Sequence, residues 1–85
     1  MKKQFKKFEI YPEYTLNKNI TIFRVFNDLS KTQFAFYCDM SAAGLDSLKK
    51  RKPSDKIYQK ISQFTGVPIR ILKKLAITED ELATK

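Results

Sequence analysis

The apolar positions of this chain change period several times, and each change marks a boundary. In residues 1–15, Phe5, Phe8 and Ile10 alternate imperfectly with Lys6, Lys7 and Glu9 until Pro12 cuts the pattern. That spacing predicts a short strand or an extended arm, not a helix. From there to Leu29, the residues Ile20, Phe23 and Phe26, with Ile22 and Val25 beside them, supply an apolar side for a helix over 18–29 that Asn17 or Asn19 can cap. The segment is rich in β-branched and aromatic residues, so a strand at Ile20–Val25 is the competing reading. Its position ahead of two clear helix starts favours the helix.

Those two starts follow in tandem. Ser30 stands three residues before Gln33, the spacing of a capping box, and Leu29 and Phe34 occupy the positions of a hydrophobic staple, which predicts a helix over 31–38. Ser41 can cap a second helix over 42–50, with Met40 and Leu45 as its staple, so the chain must turn sharply around Asp39 and Met40. In the second helix Leu45 and Leu48 face inward, while Ala43, Asp46, Ser47 and Lys50 share the outward face. Pro53 and Ser54 introduce a helix over 54–64 carrying Ile57, Ile61 and Phe64 on one face, and Gly66 ends it. Pro68 opens a short helix over 68–76 with Ile69, Leu72 and Leu75 or Ala76 as its stripe. Thr78-Glu79-Asp80-Glu81 is one more capping box before a frayed or disordered end. The expected fold is all-α, with a basic and aromatic extension at 1–15, one domain at 16–77 and a short acidic tail at 78–85.

The run from Leu29 to about Leu75 resembles the Xre/Cro-type helix-turn-helix domain of phage repressors and plasmid regulators. The resemblance rests on Gln33 and Ala35 in the first helix of the pair, Ser41 opening the second, Leu45 and Leu48 inside it, the basic exit with Pro53, and the closing Phe64-Thr65-Gly66-Val67-Pro68. It covers a little over half the chain. It implies a five-helix, lambda-repressor-like domain, a cytoplasmic protein of a bacterial cell encoded by a phage or plasmid, and dimers joined through the last helices. Ile69, Ile71, Leu72, Leu75 and Ile77 suit the last of these, because they exceed what one short helix needs for its own core. The chain departs from the family in having Asp39 where glycine is common. It also carries Ala42, Ala43, Gly44 and Ser47 where long polar side chains are usual.

Charge adds a partner to this outline. The formal net charge is +8, and because Glu79, Asp80 and Glu81 outweigh Lys85 in the tail, the first 77 residues carry +10. A body that basic favours a polyanion, most simply double-stranded DNA. Lys31, Ser41, Lys50, Arg51 and Lys52 are placed to hold phosphates on either side of the second helix. Ala42, Ala43, Asp46 and Ser47 are the candidates for base edges, alanine against a thymine methyl and serine against several bases. The functional expectation is a sequence-selective regulator that reads the major groove. The alternative is the same fold used as a protein-interaction module, as in certain phage anti-CRISPR proteins and antirepressors, where a small apolar helix suits close packing. The extension has two readings as well: a basic arm along the DNA, or aromatics packed on the domain with solvated lysines.

Other chemistry finds little support. Cys38 is the only cysteine and there is no histidine, so zinc sites, disulfides and histidine-based triads are not implied, and the thiol is best read as a small buried hydrophobe. Two glycines leave no phosphate-cradling loop. Asp28, Asp39, Asp46 and Asp55 sit near helix ends, where capping and solubility account for them, and no nucleophile–base pair suggests an enzyme or a cofactor. No apolar run approaches a membrane span, and a reducing cytosol fits the cysteine usage.

Overall fold

The structure, a computed structural model, describes residues 5–84. Among them are six α-helices, α1 (Leu16–Phe26), α2 (Lys31–Tyr37), α3 (Ala42–Asp46), α4 (Asp55–Thr65), α5 (Ile69–Lys74) and α6 (Glu79–Ala83), with a 3₁₀ turn at Ser47–Lys49 and no strand. No helix is long and apolar enough to cross a membrane.

α1 begins earlier than the asparagines suggest. Its cap is Thr15, whose hydroxyl accepts from the Lys18 amide at 3.1 Å. Asn19 instead lies fully buried inside the helix and pairs with the backbone of the extension. Its Oδ1 accepts from the Tyr11 amide at 2.7 Å, and its Nδ2 donates to the carbonyls of Tyr11 at 3.1 Å and Thr15 at 2.8 Å. A second buried asparagine, Asn27, accepts from the Lys6 amide at 2.6 Å and donates to the Phe23 carbonyl at 2.9 Å. Between these two clamps Phe8 is buried with its ring 5.0 Å from Phe23, while Lys6 and Lys7 stay exposed. The extension is thus extended backbone paired to side chains. Lys2 and Lys3 of the expected basic arm lie outside the described residues.

Two helix ends repeat one device. After α1, Asp28 takes a left-handed φ of 54°, its amide donates to Val25 at 3.2 Å, and the Leu29 amide reaches back to Arg24 at 2.8 Å. After α2, Asp39 has φ 58°, its amide donates to Phe36 at 3.0 Å, and the Met40 amide reaches back to Ala35 at 2.9 Å. This is the Schellman pattern, in which an αL residue lets two amides satisfy the last carbonyls of the helix. Each reversal is followed at once by a serine cap. Ser30 and Gln33 form both bonds of a capping box, and Ser41 accepts from the Gly44 amide at 2.9 Å.

The second helix of this pair is shorter than the expected 42–50. α3 stops at Asp46 and tightens into the 3₁₀ turn, where the Lys50 and Arg51 amides both donate to the Ser47 carbonyl, at 3.1 and 3.0 Å. Leu45 in α3 and Leu48 in the 3₁₀ turn are both 2% exposed, so the two leucines enter the core from either side of the tightening. Downstream, Ser54 caps α4 and Gly66 closes it at φ 79°. α5 follows Pro68 and ends at Lys74, leaving Leu75 in extended backbone. Thr78 caps α6 as its residue type predicts, accepting from the Glu81 amide at 3.1 Å; three acidic residues fill the first turn, where the helix dipole favours them, and the helix runs on to Ala83.

One core joins these parts. Leu16, Ile20, Phe23, Phe34, Leu45, Leu48, Tyr58, Ile61 and Leu72 are buried together, and Phe64 gathers an aromatic rim with Phe5, Phe23, Phe34 and Tyr37 at ring distances of 5.1 to 5.9 Å. Periodicity put Ile57 and Phe64 at the centre of the α4 face; they are half-buried, and the centre is Tyr58 with Ile61. Val25 and Phe26, expected on the inner side of α1, are exposed. Leu72, Leu75 and Ile77 are buried and Ile69 and Ile71 half-buried against the same core, so the apolar surplus that suggested a C-terminal dimer seam is taken up within the chain.

Leu45→Asp and Phe34→Asp are each expected to unfold the protein, because both put a carboxylate into this core. A wild-type melting temperature in either would contradict the packing. Asn19→Leu should lower stability by about 1–3 kcal/mol by leaving the Tyr11 backbone groups unpaired, and circular dichroism melts of that variant measure the clamp directly.

Candidate nucleic-acid interface

The turn at Asp39 and Met40 projects α3 so that one side meets the core through Leu45 while the other meets solvent. On the solvent side Ala43, Asp46 and Ser47 are exposed, whereas Ala42 is half-buried. The Ser41 hydroxyl oxygen is engaged as the helix cap, so its own hydrogen is what it can offer a phosphate. The Ser47 hydroxyl donates to the Gly44 carbonyl at 2.7 Å, which leaves its oxygen lone pairs as acceptors for a base amino group. Lys50, Arg51 and Lys52 follow the 3₁₀ turn, fully exposed, and none makes an ion pair or side-chain hydrogen bond among the described residues. Because the helix has tightened, Lys50 leaves the helical face it was expected to share and joins Arg51 and Lys52 in the exit loop.

Two sequence-derived candidates turn out to face each other. The Lys31 ammonium, assigned to a phosphate, donates to the Asp46 carboxylate, assigned to a base edge, at 2.8 Å. That bond holds the Asp46 carboxyl below the usual carboxylate range, helped by the charges of Lys31, Lys49 and Arg24. All four residues line one cleft of about 170 Å³ between α1, α2, α3 and the 3₁₀ turn, floored by Ile20 and Leu45 and flanked by Asn17 and Thr21. Arg24 borders it with Nε donating to the Leu29 carbonyl at 3.2 Å, and Lys49 has no ion-pair partner among the described residues. Sequence reading passed over Arg24 and Lys49 as site residues. The signal for Arg24 was its position seven residues after Asn17 on one face of α1, which acquires meaning only once the 3₁₀ turn is known to pack there.

On the neighbouring side, Lys60 donates to the Asp39 carbonyl at 2.7 Å and so adds a positive charge to the C-terminal end of α2. Lys73 pairs with Asp55 at 2.9 Å, which lowers the Asp55 carboxyl in turn. Cys38, buried at the end of α2, has its thiol pushed up to about 12 by burial, so it remains a thiol at neutral pH and packs as a hydrophobe. Compared with protein-family models, with curated proteins and with solved structures, the chain matches none of them.

A carboxyl whose folded midpoint is depressed contributes stability above its unfolded midpoint and loses it as pH falls through the folded one. The Asp46 carboxyl carbon, followed by nuclear magnetic resonance, is therefore expected to titrate below an ordinary aspartate. In Lys31→Met its midpoint should rise toward that of an ordinary aspartate. An unmoved midpoint would mean the two side chains do not pair in solution.

Proposed function

We propose that this protein is a small double-stranded DNA-binding regulator of the helix-turn-helix class, in which α2 and α3 form the motif and α3 enters the major groove. The observation that carries the reading is the exposed face of α3, made of short side chains and followed after the 3₁₀ turn by Lys50, Arg51 and Lys52, which make no ion pair among the described residues. Small residues let a helix approach base edges closely, and a cationic exit supplies phosphate contacts at the rim of the groove. Ala43 and Ser47 meet bases; Lys50, Arg51 and Lys52 hold one strand, and Lys31 at the start of α2 with Ser41 at the cap of α3 faces the other. The scarcity of long polar side chains on α3 sets the ratio of specific to non-specific affinity at the low end of the usual ~10³–10⁷.

A second reading has its own observation. Val25 is 72%, Phe26 56% and Phe36 77% exposed, an unusual display of large apolar side chains for a chain of this size. They favour a protein partner, as in the interaction-module use of such a fold, and that reading needs no DNA.

The two separate in a salt titration. Replacing Lys50, Arg51 and Lys52 together by alanine should weaken binding to every duplex alike and flatten the slope of log K against log salt by about one unit per lost contact. Ser47→Ala should relax preference at one or two base pairs by about 1–3 kcal/mol. A slope unchanged in the triple variant would mean that the basic exit is only a solvated surface.

A further inference from the structure

We propose that the cleft bounded by Arg24, Lys31, Asp46 and Lys49 is a binding site for one phosphate group. Three cations from three separate elements converge there on a single carboxylate, which leaves a local excess of two positive charges. The Lys31 charge is met by Asp46, Arg24 spends only its Nε on the Leu29 carbonyl, and Lys49 has no ion-pair partner among the described residues. A phosphate dianion matches both the excess charge and the donor set: a guanidinium that can present two parallel N–H groups, with ammonium groups that act as point charges. The cleft, at about 170 Å³, is concave enough to take such a group and to remove part of its solvent. The neighbouring cations Lys50, Arg51 and Lys52 are exposed in the loop after the 3₁₀ turn and do not line this cleft.

Asp46 gives the site an unusual sign. In the free protein it acts as the internal counter-ion that reduces the mutual repulsion of three cations sharing one cleft. A bound phosphate takes over Lys31 and must displace that carboxylate, so Asp46 opposes binding although it lines the site. Removing its charge therefore strengthens binding.

The phosphate can belong to a nucleic-acid backbone or to a free phosphorylated compound, and the site does not depend on the DNA reading above. The test titrates inorganic phosphate, against sodium chloride at equal ionic strength, into wild type, Lys49→Gln and Asp46→Asn, following backbone amide resonances. Thermal melts check that each variant folds. A saturable shift confined to Thr21, Arg24, Lys31, Asp46 and Lys49 is expected, weakened on the order of tenfold in Lys49→Gln and tightened severalfold in Asp46→Asn. Shifts no larger than those from chloride, or equal in wild type and Lys49→Gln, would overturn the proposal. A second arm identifies the source with a short DNA duplex. A salt slope lower by about one unit in Lys49→Gln assigns the phosphate to the backbone. Phosphate binding with an unchanged slope assigns it to a free compound, and phosphate binding with no duplex binding leaves the site standing while the DNA reading fails.

Discussion

The bond from the Met40 amide to the Ala35 carbonyl, at 2.9 Å, is the constraint on which the rest of the structure depends. It exists only because Asp39 accepts a left-handed backbone, and it stops α2 at the one place that lets Ser41 begin α3 immediately. With the reversal fixed, Leu45 and Leu48 fall into the core beside Phe34 and Ile61, and the opposite side of α3 has no choice but to face solvent. Lys60 strengthens the same point by donating to the Asp39 carbonyl from α4, so the turn is tied to a helix beyond the pair. The orientation of the exposed helix is thus set by backbone geometry and burial together, and it does not rely on any exposed ion pair.

Charge is arranged on top of that frame. The Lys31–Asp46 pair is half exposed on both sides, with side-chain exposures of 43% and 50%, and pairs of that kind contribute little to stability. It links the start of α2 to the outward face of α3 and gives the Lys31 ammonium a counter-charge within the chain. Lys49 and the exit-loop residues Lys50, Arg51 and Lys52 make no ion pair among the described residues, so positive charge is more open beyond α3 than at the start of α2.

Much of the fold was legible in the sequence wherever the responsible chemistry acts within four or five residues. The caps at Ser30, Ser41, Ser54 and Thr78, the αL turn at Asp39 and the stop at Gly66 are all local, and all are found where the residue types predict them. The features that escaped involve partners farther away. Asn19 looked like a cap because its role requires the Tyr11 backbone eight residues upstream. The 3₁₀ turn after α3 answers to the burial of Leu48, which only the packed core imposes. Tyr58 gave no apolar signal strong enough to outrank Ile57, yet it is the side chain that the core encloses. For the candidate site the same limit applies: the individual cations were visible, but the meeting of Lys31 with Asp46 across 15 positions, and of both with Arg24, depends on how α2 lies against α3 and α1 against the 3₁₀ turn.

The central claim is that the exposed side of α3 lies against DNA. Its most direct test is Ala43→Glu, which places a carboxylate at an exposed position and leaves Leu45 and Leu48 untouched. A competition titration of wild type and variant against a selected duplex and a scrambled one, at two salt concentrations, measures the effect. The account predicts that the variant melts like wild type and binds the selected duplex far more weakly. Equal binding of both duplexes by variant and wild type would contradict it, since a helix that tolerates a carboxylate at its centre is not in the groove.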